Sequence, residues 1–139
     1  MSRAALLLAA AALAALGCER RAPPDPRAVV GRALRGVLVY PLSREVALTA
    51  GEDAGQVTLV SADSTARVAA WFRRELGLNG WELQSDHRET DGTVTLYADS
   101  GRRPLWITLR PNRGAPGTTY TVTGAIVAGD SAARDSSRR

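Results

Sequence analysis

The stretch DSTARVAAWFRRELGLNGWEL, residues 63–83, decides the fold because it contains a helix together with its start and stop signals. Asp63 or Ser64 can cap the first turn, and Gly77 can end the helix. The apolar side chains follow at the spacing i, i+3, i+4 and i+8, which places them on one helix face. They are Val68, Trp71, Phe72 and Leu76. An amphipathic helix of this kind must pack against another element.

After Gly80 the apolar residues change to period two, which predicts β-strands. The alternating residues are Trp81 and Leu83, then Val94, Leu96 and Ala98, then Leu105, Ile107 and Leu109, then Tyr120, Val122, Gly124 and Ile126. Polar turn signals separate these runs at 89–92, 99–104 and 111–117. Since short connections join antiparallel neighbours, the pattern indicates an antiparallel meander.

Two apolar runs before the helix complete the predicted domain. VLVY at 37–40 and VTLV at 57–60 predict strands, and GEDAG at 51–55 predicts the turn between strands. The predicted fold class is therefore α+β, with a single amphipathic helix on one face of a mainly antiparallel sheet in the order ββαββββ. We expect this domain to span residues 36–127.

The residues that alternate with the apolar rows predict the second face of the sheet. They are Gln84, Thr95, Tyr97, Trp106, Thr108, Thr119, Thr121 and Thr123. Because one helix covers only one face, the second face is the leading candidate for a binding surface. Its candidate residues are Tyr97, Trp106, Gln84 and Thr108. Tyr97 and Trp106 either anchor an envelope protein, peptide or glycan or form a cross-strand pair that only stabilises the sheet.

The N-terminal stretch has the layout of a secretory signal peptide, which we assign to residues 1–17. Arg3 precedes thirteen apolar residues at 4–16, fewer than the roughly 20 that a membrane-spanning helix needs. The end of this stretch, Ala15-Leu16-Gly17-Cys18, resembles the lipobox of bacterial lipoproteins. Ala15 stands where the commonest lipobox has Leu.

The lipobox resemblance implies that Cys18 becomes the new N-terminus and attaches the protein to a membrane through a diacylglycerol and an N-acyl chain. Simple secretion with a free thiol and an uncleaved anchor are the alternatives. Lipid attachment is favoured because Cys18 is the only cysteine and exported compartments oxidise free thiols. Glu19 stands where Asp is the usual cue for retention in the inner membrane. The resemblance therefore implies the outer membrane, facing the periplasm, rather than the inner membrane.

The terminal segments hold most of the net positive charge. Residues 18–35 predict a lipid-attached tether rich in Pro and Arg, although Asp25 and Pro26 also suit the start of a short helix ending near Gly36. Residues 128–139 predict a disordered tail. In residues 36–127, nine Arg oppose ten acidic residues, although the whole chain carries +4. A nearly neutral domain argues against nucleic acid as a partner.

No catalytic, metal or cofactor site is predicted. His87 is the only histidine, and one His with one Cys cannot supply the usual zinc ligands. Asp86, Glu89 and Asp91 lack the ordered spacing of a calcium loop. The alternatives are a small periplasmic hydrolase that uses His87 with Asp86 or Asp91, and a passive structural subunit of an envelope complex.

The middle of the chain, about residues 40–125, resembles a family of small bacterial envelope proteins. The matching positions are Tyr40-Pro41, Asp63-Ser64, Val68, Trp71-Phe72, Leu76 and Gly80-Trp81. This resemblance is structural in kind and implies a shared fold without an activity. The sequence therefore predicts a lipid-anchored envelope protein that binds or scaffolds without catalysis.

Overall fold

A computed structural model describes residues 23–126 of the chain. Its elements are α1 (Pro26–Ala33), β1 (Arg44–Ala50), β2 (Ala54–Ser61), α2 (Thr65–Leu78), β3 (Glu82–Arg88), β4 (Val94–Ser100), β5 (Arg103–Pro111) and β6 (Thr118–Ala125). The predicted α+β class is confirmed, but a second helix changes the order to αββαββββ. Cys18, the predicted signal peptide and the predicted tail lie outside the described residues.

The six strands form one sheet in the order β1-β2-β6-β5-β4-β3, and each of its five pairings is antiparallel. The apolar rows predicted for β4, β5 and β6 are buried, with the exception of Ile126 just beyond β6. Both helices contribute buried residues to the same core. One face of the sheet therefore lies under the helices, as predicted. Within residues 23–126, no helix has the length and apolar composition needed to span a bilayer.

Helix α2 begins as predicted and ends later than predicted. The Ser64 hydroxyl accepts a hydrogen bond from the Arg67 amide at 3.3 Å, which caps the first turn. Gly77 stays inside the helix, so its prediction as the terminator is wrong. Instead, the last carbonyls accept hydrogen bonds from Asn79 and from the Trp81 amide, and Gly80 adopts the left-handed conformation at φ +77°.

Helix α1 packs on β2 and β6, where glycines make room for it. A Cβ atom on Gly55 would lie 2.7 Å from the Val30 Cα, and one on Gly124 would lie 2.6 Å from the Ala33 carbonyl oxygen. Asp25 caps the helix, which confirms the short helix expected there. The predicted boundary at residue 36 is corrected, because the packed domain already begins at Pro26.

The predicted strand at 37–40 is wrong. Residues 36–43, which we call the strap, run beside α2 in the helix layer, and the first strand is β1. Val37 and Tyr40 pack against the core, while Leu38 and Val39 are exposed. The four apolar residues in a row resemble a short buried strand in sequence, although only two of them are packed. The strap pairs with no strand because it lies above the sheet, against α2.

Both edge strands contain an irregularity that interrupts their pairing. In β1 it lies at Val46, and in β3 it lies at Gln84. Such bulges protect sheet edges from pairing with other chains. The bulge in β3 also reverses the alternation, so Asp86 stands opposite the buried Leu96 and faces the helices.

Candidate functional site

The outer face is the side of the sheet opposite the helices, and the strand registers arrange the side chains at its centre in two rows. A third row of Arg44, Val60, Thr119 and Arg110 borders them on one side, and Asp99 and Pro104 border them on the other. The first row, which we call the aromatic row, consists of Thr49, Gln56, Thr123, Trp106, Tyr97 and Ser85. The second, the threonine row, consists of Ala47, Thr58, Thr121, Thr108, Thr95 and His87. Four threonines thus stand side by side on four adjacent strands.

Tyr97 and Trp106 form the centre of the aromatic row. Their ring centroids are 5.1 Å apart at an interplanar angle of 29°, which is a stacked geometry. Trp106 keeps 41% of its surface exposed, so an apolar ring remains available to a ligand. The predicted cross-strand pair is therefore present on the uncovered face.

The other two predicted binding residues lie next to this pair. Thr108 stands in the middle of the threonine row, opposite Thr95 and Thr121. Gln84 is exposed at the bulge of β3, beside the Ser85 that pairs with Tyr97. The structure thus brings all four residues to one surface.

Sequence reasoning missed the part of this face that β2 supplies. Gln56 and Thr58 alternate with Val57 and Leu59, which is the signal that identifies them as outward-facing. The Thr123 hydroxyl donates to the Gln56 Oε1 at 3.0 Å, so the aromatic row continues as a hydrogen-bonded polar row. The two rows contain no Asp, Glu, Lys or Arg. Their chemistry is hydroxyl and amide groups beside one exposed aromatic pair.

His87 is an exposed residue near the end of β3, at the end of the threonine row. Asp86 faces the opposite side, where Arg73 donates to both of its oxygens at 2.6 and 2.9 Å. These hydrogen bonds lower the pKa of Asp86. Neither Asp86 nor the turn residue Asp91, which accepts from the Thr93 amide at 2.8 Å, orients His87. Residues 23–126 contain no group of three or more side chains that could hold a metal.

A family model described as START domain-like matches residues 43–123, more than half of the 139-residue chain. The chain belongs to the START domain-like family. No curated protein and no solved structure matches it. The START domain-like match covers β1 to β5, α2 and most of β6, and therefore both rows of the outer face. Helix α1 and almost all of the strap precede it.

On the other side of this START domain-like domain, a crevice separates the strap from α2. It is lined by Gly36, Val37, Leu38, Trp71, Phe72, Glu75, Leu76, Asn79 and Trp81, and it holds about 220 Å³ of space, part of it open to solvent. Only about 10 Å³ of this space is enclosed enough to hold water, whereas pockets for drug-sized ligands usually hold about 300–1,000 Å³. The crevice is therefore a weaker candidate than the outer face.

The START domain-like domain also contains a polar network at the N-terminus of α2. The carboxylate of Asp63 accepts from the Tyr40 hydroxyl at 2.7 Å and from Arg67 Nη1 at 3.0 Å. These bonds lower the pKa of Asp63, and the bond to Asp63 raises the pKa of Tyr40. Trp71 packs edge-on against the Tyr40 ring at 5.4 Å. The network ties the strap to α2, so these residues have a structural role.

Proposed function

We propose that this START domain-like domain is a non-catalytic binding module, held at the cell envelope by lipid on Cys18. The observation that carries the proposal is the exposed Tyr97–Trp106 stack on a sheet face that neither helix covers. START domain-like proteins are usually binding modules, which agrees with this assignment.

The outer face has the properties of a preformed recognition surface. Tyr97 and Trp106 lie on β4 and β5, each of which is paired on both sides, so the rings need no ordering when a partner arrives. Exposed aromatic residues in a polar surround are frequent anchors of binding energy. Because both rows lack Asp, Glu, Lys and Arg, a protein or glycan partner is recognised by ring contacts and hydroxyl hydrogen bonds.

The lipid anchor determines where in the cell the module is located. The lipobox resemblance at Cys18 favours attachment to the outer membrane, with the domain facing the periplasm. Two or more acyl chains hold a protein stably, whereas a single chain does so only marginally. Helix α1 begins only eight residues after Cys18, so the domain stays close to the leaflet.

Metabolic labelling with a palmitate analogue tests the anchor. We expect label in the natural chain and none in Cys18→Ala. If the natural chain is recovered in the soluble fraction with an unmodified Cys18 thiol, the proposed lipid attachment is wrong.

A photo-crosslinking residue at position 97 tests the binding face in cells. We expect one partner to be captured, and we expect the capture to disappear when Trp106→Ala is added. Arg74 lies on α2, on the opposite side of the sheet, and is the control position for the crosslinker. Equal capture from positions 97 and 74 would indicate passive packing in an envelope complex instead.

His87→Ala separates binding from catalysis. We expect the captured partner to be unchanged, because His87 lies at the end of the threonine row and away from the aromatic pair. If cells carrying His87→Ala behave like cells that lack the protein, while the partner is still captured, the hydrolase alternative is favoured.

A further inference from the structure

The aromatic row and the threonine row together form a strip whose size narrows the choice of partner. The strip crosses six strands spaced about 4.8 Å apart, so it is about 24 Å long. The charged residues Arg44, Arg110 and Asp99 lie in the rows that border it. Because neighbouring rows are about 6.7 Å apart along a strand, the two bordering rows are about 20 Å from each other. The space between them covers about 480 Å². We call this space the uncharged strip.

A protein partner of ordinary size does not fit within the uncharged strip. Stable protein interfaces cover about 800 Å² on each partner, so such a partner would have to cover the charged rows as well. In the two central rows, Trp106 is the one large apolar side chain that keeps more than a third of its surface exposed. One exposed ring among hydroxyl and amide groups is a small apolar centre for a protein interface. A narrow polymer that follows one row suits the strip better.

The hydroxyl groups of the four threonines in the threonine row are available to a ligand. On β6, the hydroxyls of Thr119 and Thr123 donate to Asn112 and Gln56, whereas Thr121 between them makes no side-chain hydrogen bond. The other three threonines of the row are likewise without a side-chain partner within residues 23–126, and all four are partly exposed. Each hydroxyl can both donate and accept. Such groups on adjacent strands match a ligand that carries hydroxyls at regular intervals.

The exposed surface of Trp106 lies beside hydrogen-bonding groups. Tyr97 stacks on one side of the indole with ring centroids 5.1 Å apart, so the accessible ring surface lies on the other side, toward Thr123 of β6. Gln56 accepts from the Thr123 hydroxyl through Oε1, and its amide nitrogen can donate to a ligand. The negative face of an aromatic ring attracts the weakly positive C–H groups of a sugar ring. A sugar ring on Trp106 would thus have polar partners within reach.

We propose that the uncharged strip binds an extended, neutral glycan chain, with one sugar ring on Trp106 and the next sugars along the aromatic row. This inference rests on the proposed function of the outer face as a binding surface and adds the chemical class of its ligand. A charged polysaccharide fits less well, because its charged groups would lose water on the strip without meeting an opposite charge there. The hydroxyls of a neutral glycan instead exchange hydrogen bonds to water for hydrogen bonds to the threonines.

The test follows the indole N–H signals of the full chain by NMR, in micelles of a detergent without a sugar headgroup. The chain has three tryptophans, and Trp71 and Trp81 pack against the core on the helix side as internal controls. The probes are cellohexaose and N-acetylchitohexaose, which are neutral, and hexagalacturonate, which is the anionic control. We expect at least one neutral hexamer to shift the Trp106 signal saturably while the signals of Trp71 and Trp81 stay in place.

Variants locate the glycan on the strip, with affinities measured by isothermal titration calorimetry. Trp106→Ala should weaken binding of the neutral hexamer at least about tenfold, whereas Leu78→Ala, which changes an exposed residue of α2, should leave it unchanged. Thr108→Val keeps the shape of the side chain but removes its hydroxyl, and we expect a loss of about fivefold. Thr90→Val, in the turn after β3, is its matched control and should bind like the natural chain. The signals of the core tryptophans show that each variant stays folded.

Failure of both neutral hexamers to shift the Trp106 signal overturns the glycan assignment. If the crosslinker at position 97 nevertheless captures one partner protein in cells, the outer face is a protein-binding surface and the proposed function stands. If neither sugar nor protein binds there, the proposed function fails as well. Tighter binding of hexagalacturonate, or shifts confined to Trp71 and Trp81, would also contradict a neutral glycan on the uncharged strip.

Discussion

The two faces of the sheet come from the same strands but have opposite properties. On the helix face, Leu96, Leu105 and Tyr120 have no exposed surface. On the outer face, their neighbours Tyr97, Trp106 and Thr121 remain at least partly accessible. Alternation along a strand therefore separates stability from recognition, and substitutions on the outer face can change binding without unfolding the domain.

The largest expected effect contrasts one aromatic residue from each side of the sheet. Phe72 of α2 is buried and stacks edge-on with Tyr120 at 5.4 Å. Phe72→Ala should lower the free energy of unfolding by about 3–5 kcal/mol, because it leaves a cavity. Trp106→Ala should lower it by about 1–2 kcal/mol, because it removes one exposed cross-strand pair. Urea denaturation measures both, and equal losses would contradict the division between the faces.

The next effect concerns the close approach of α1 to the sheet. Gly124→Ala places a Cβ atom 2.6 Å from the Ala33 carbonyl oxygen and 2.8 Å from Leu34 Cδ2. We expect a loss of about 1–3 kcal/mol, because α1 must shift. Gly31→Ala is the control: nothing lies within 4 Å of its new Cβ atom, and alanine favours a helix interior by about 0.5–1 kcal/mol. If thermal melts show that both variants change the stability of the protein in the same direction, α1 is not packed this closely on the sheet.

The sequence was sufficient for the central strands and for the main part of the candidate site. β4, β5 and β6 each have paired neighbours and continuous alternation, so period two predicted their buried residues and the Tyr97–Trp106 pair. The α2 face was also predicted correctly: Val68, Phe72 and Leu76 are buried, and Trp71 packs partly buried against the same core.

The errors lie at the margins of the sheet, where local pattern and tertiary contacts disagree. β1 is an edge strand with a bulge and mostly exposed residues, so its signal is weak. The packing of α1 depends on Gly55 and Gly124, and glycine within a strand can indicate such close approach. Leu42 is the third residue of the turn that the Ser43 amide closes on the Tyr40 carbonyl at 3.2 Å. Pro41 at the second position signals such a turn, but a leucine gives no signal of the positive φ at the third.

A smaller effect tests the hydrogen bonds that hold the strap. The buried Tyr120 hydroxyl donates to Ser43 Oγ at 2.8 Å and accepts from the Tyr40 amide at 3.2 Å. Tyr120→Phe should cost about 1–3 kcal/mol, since it leaves a part-buried amide without its partner. Tyr97→Phe, on the outer face, keeps its stack and should cost less than about 0.5 kcal/mol. Equal costs in chemical denaturation would mean that the strap is held by apolar contacts alone.

The smallest effect concerns the ion pair between Asp86 of β3 and Arg73 of α2. Because this pair is partly exposed, Asp86→Asn should cost about 0.5–1 kcal/mol near pH 7. The folded protein lowers the pKa of Asp86 below its ordinary value of about 3.9. Its contribution is therefore complete above that ordinary value and is lost as the pH falls through the lower, folded value.

A double-mutant cycle with Arg73→Gln isolates this contribution from other titrating groups. The coupling free energy between positions 73 and 86 should be present near pH 7 and should disappear in acid, once the carboxylate is protonated in the folded protein. Coupling that persists in acid would show that the contact depends on packing rather than charge. Since Asp86 reaches the helix side only because the bulge at Gln84 reverses the alternation, the cycle also tests which face this residue occupies. Zero coupling at neutral pH would contradict a stabilising contact between Asp86 and Arg73 on the helix side of the sheet.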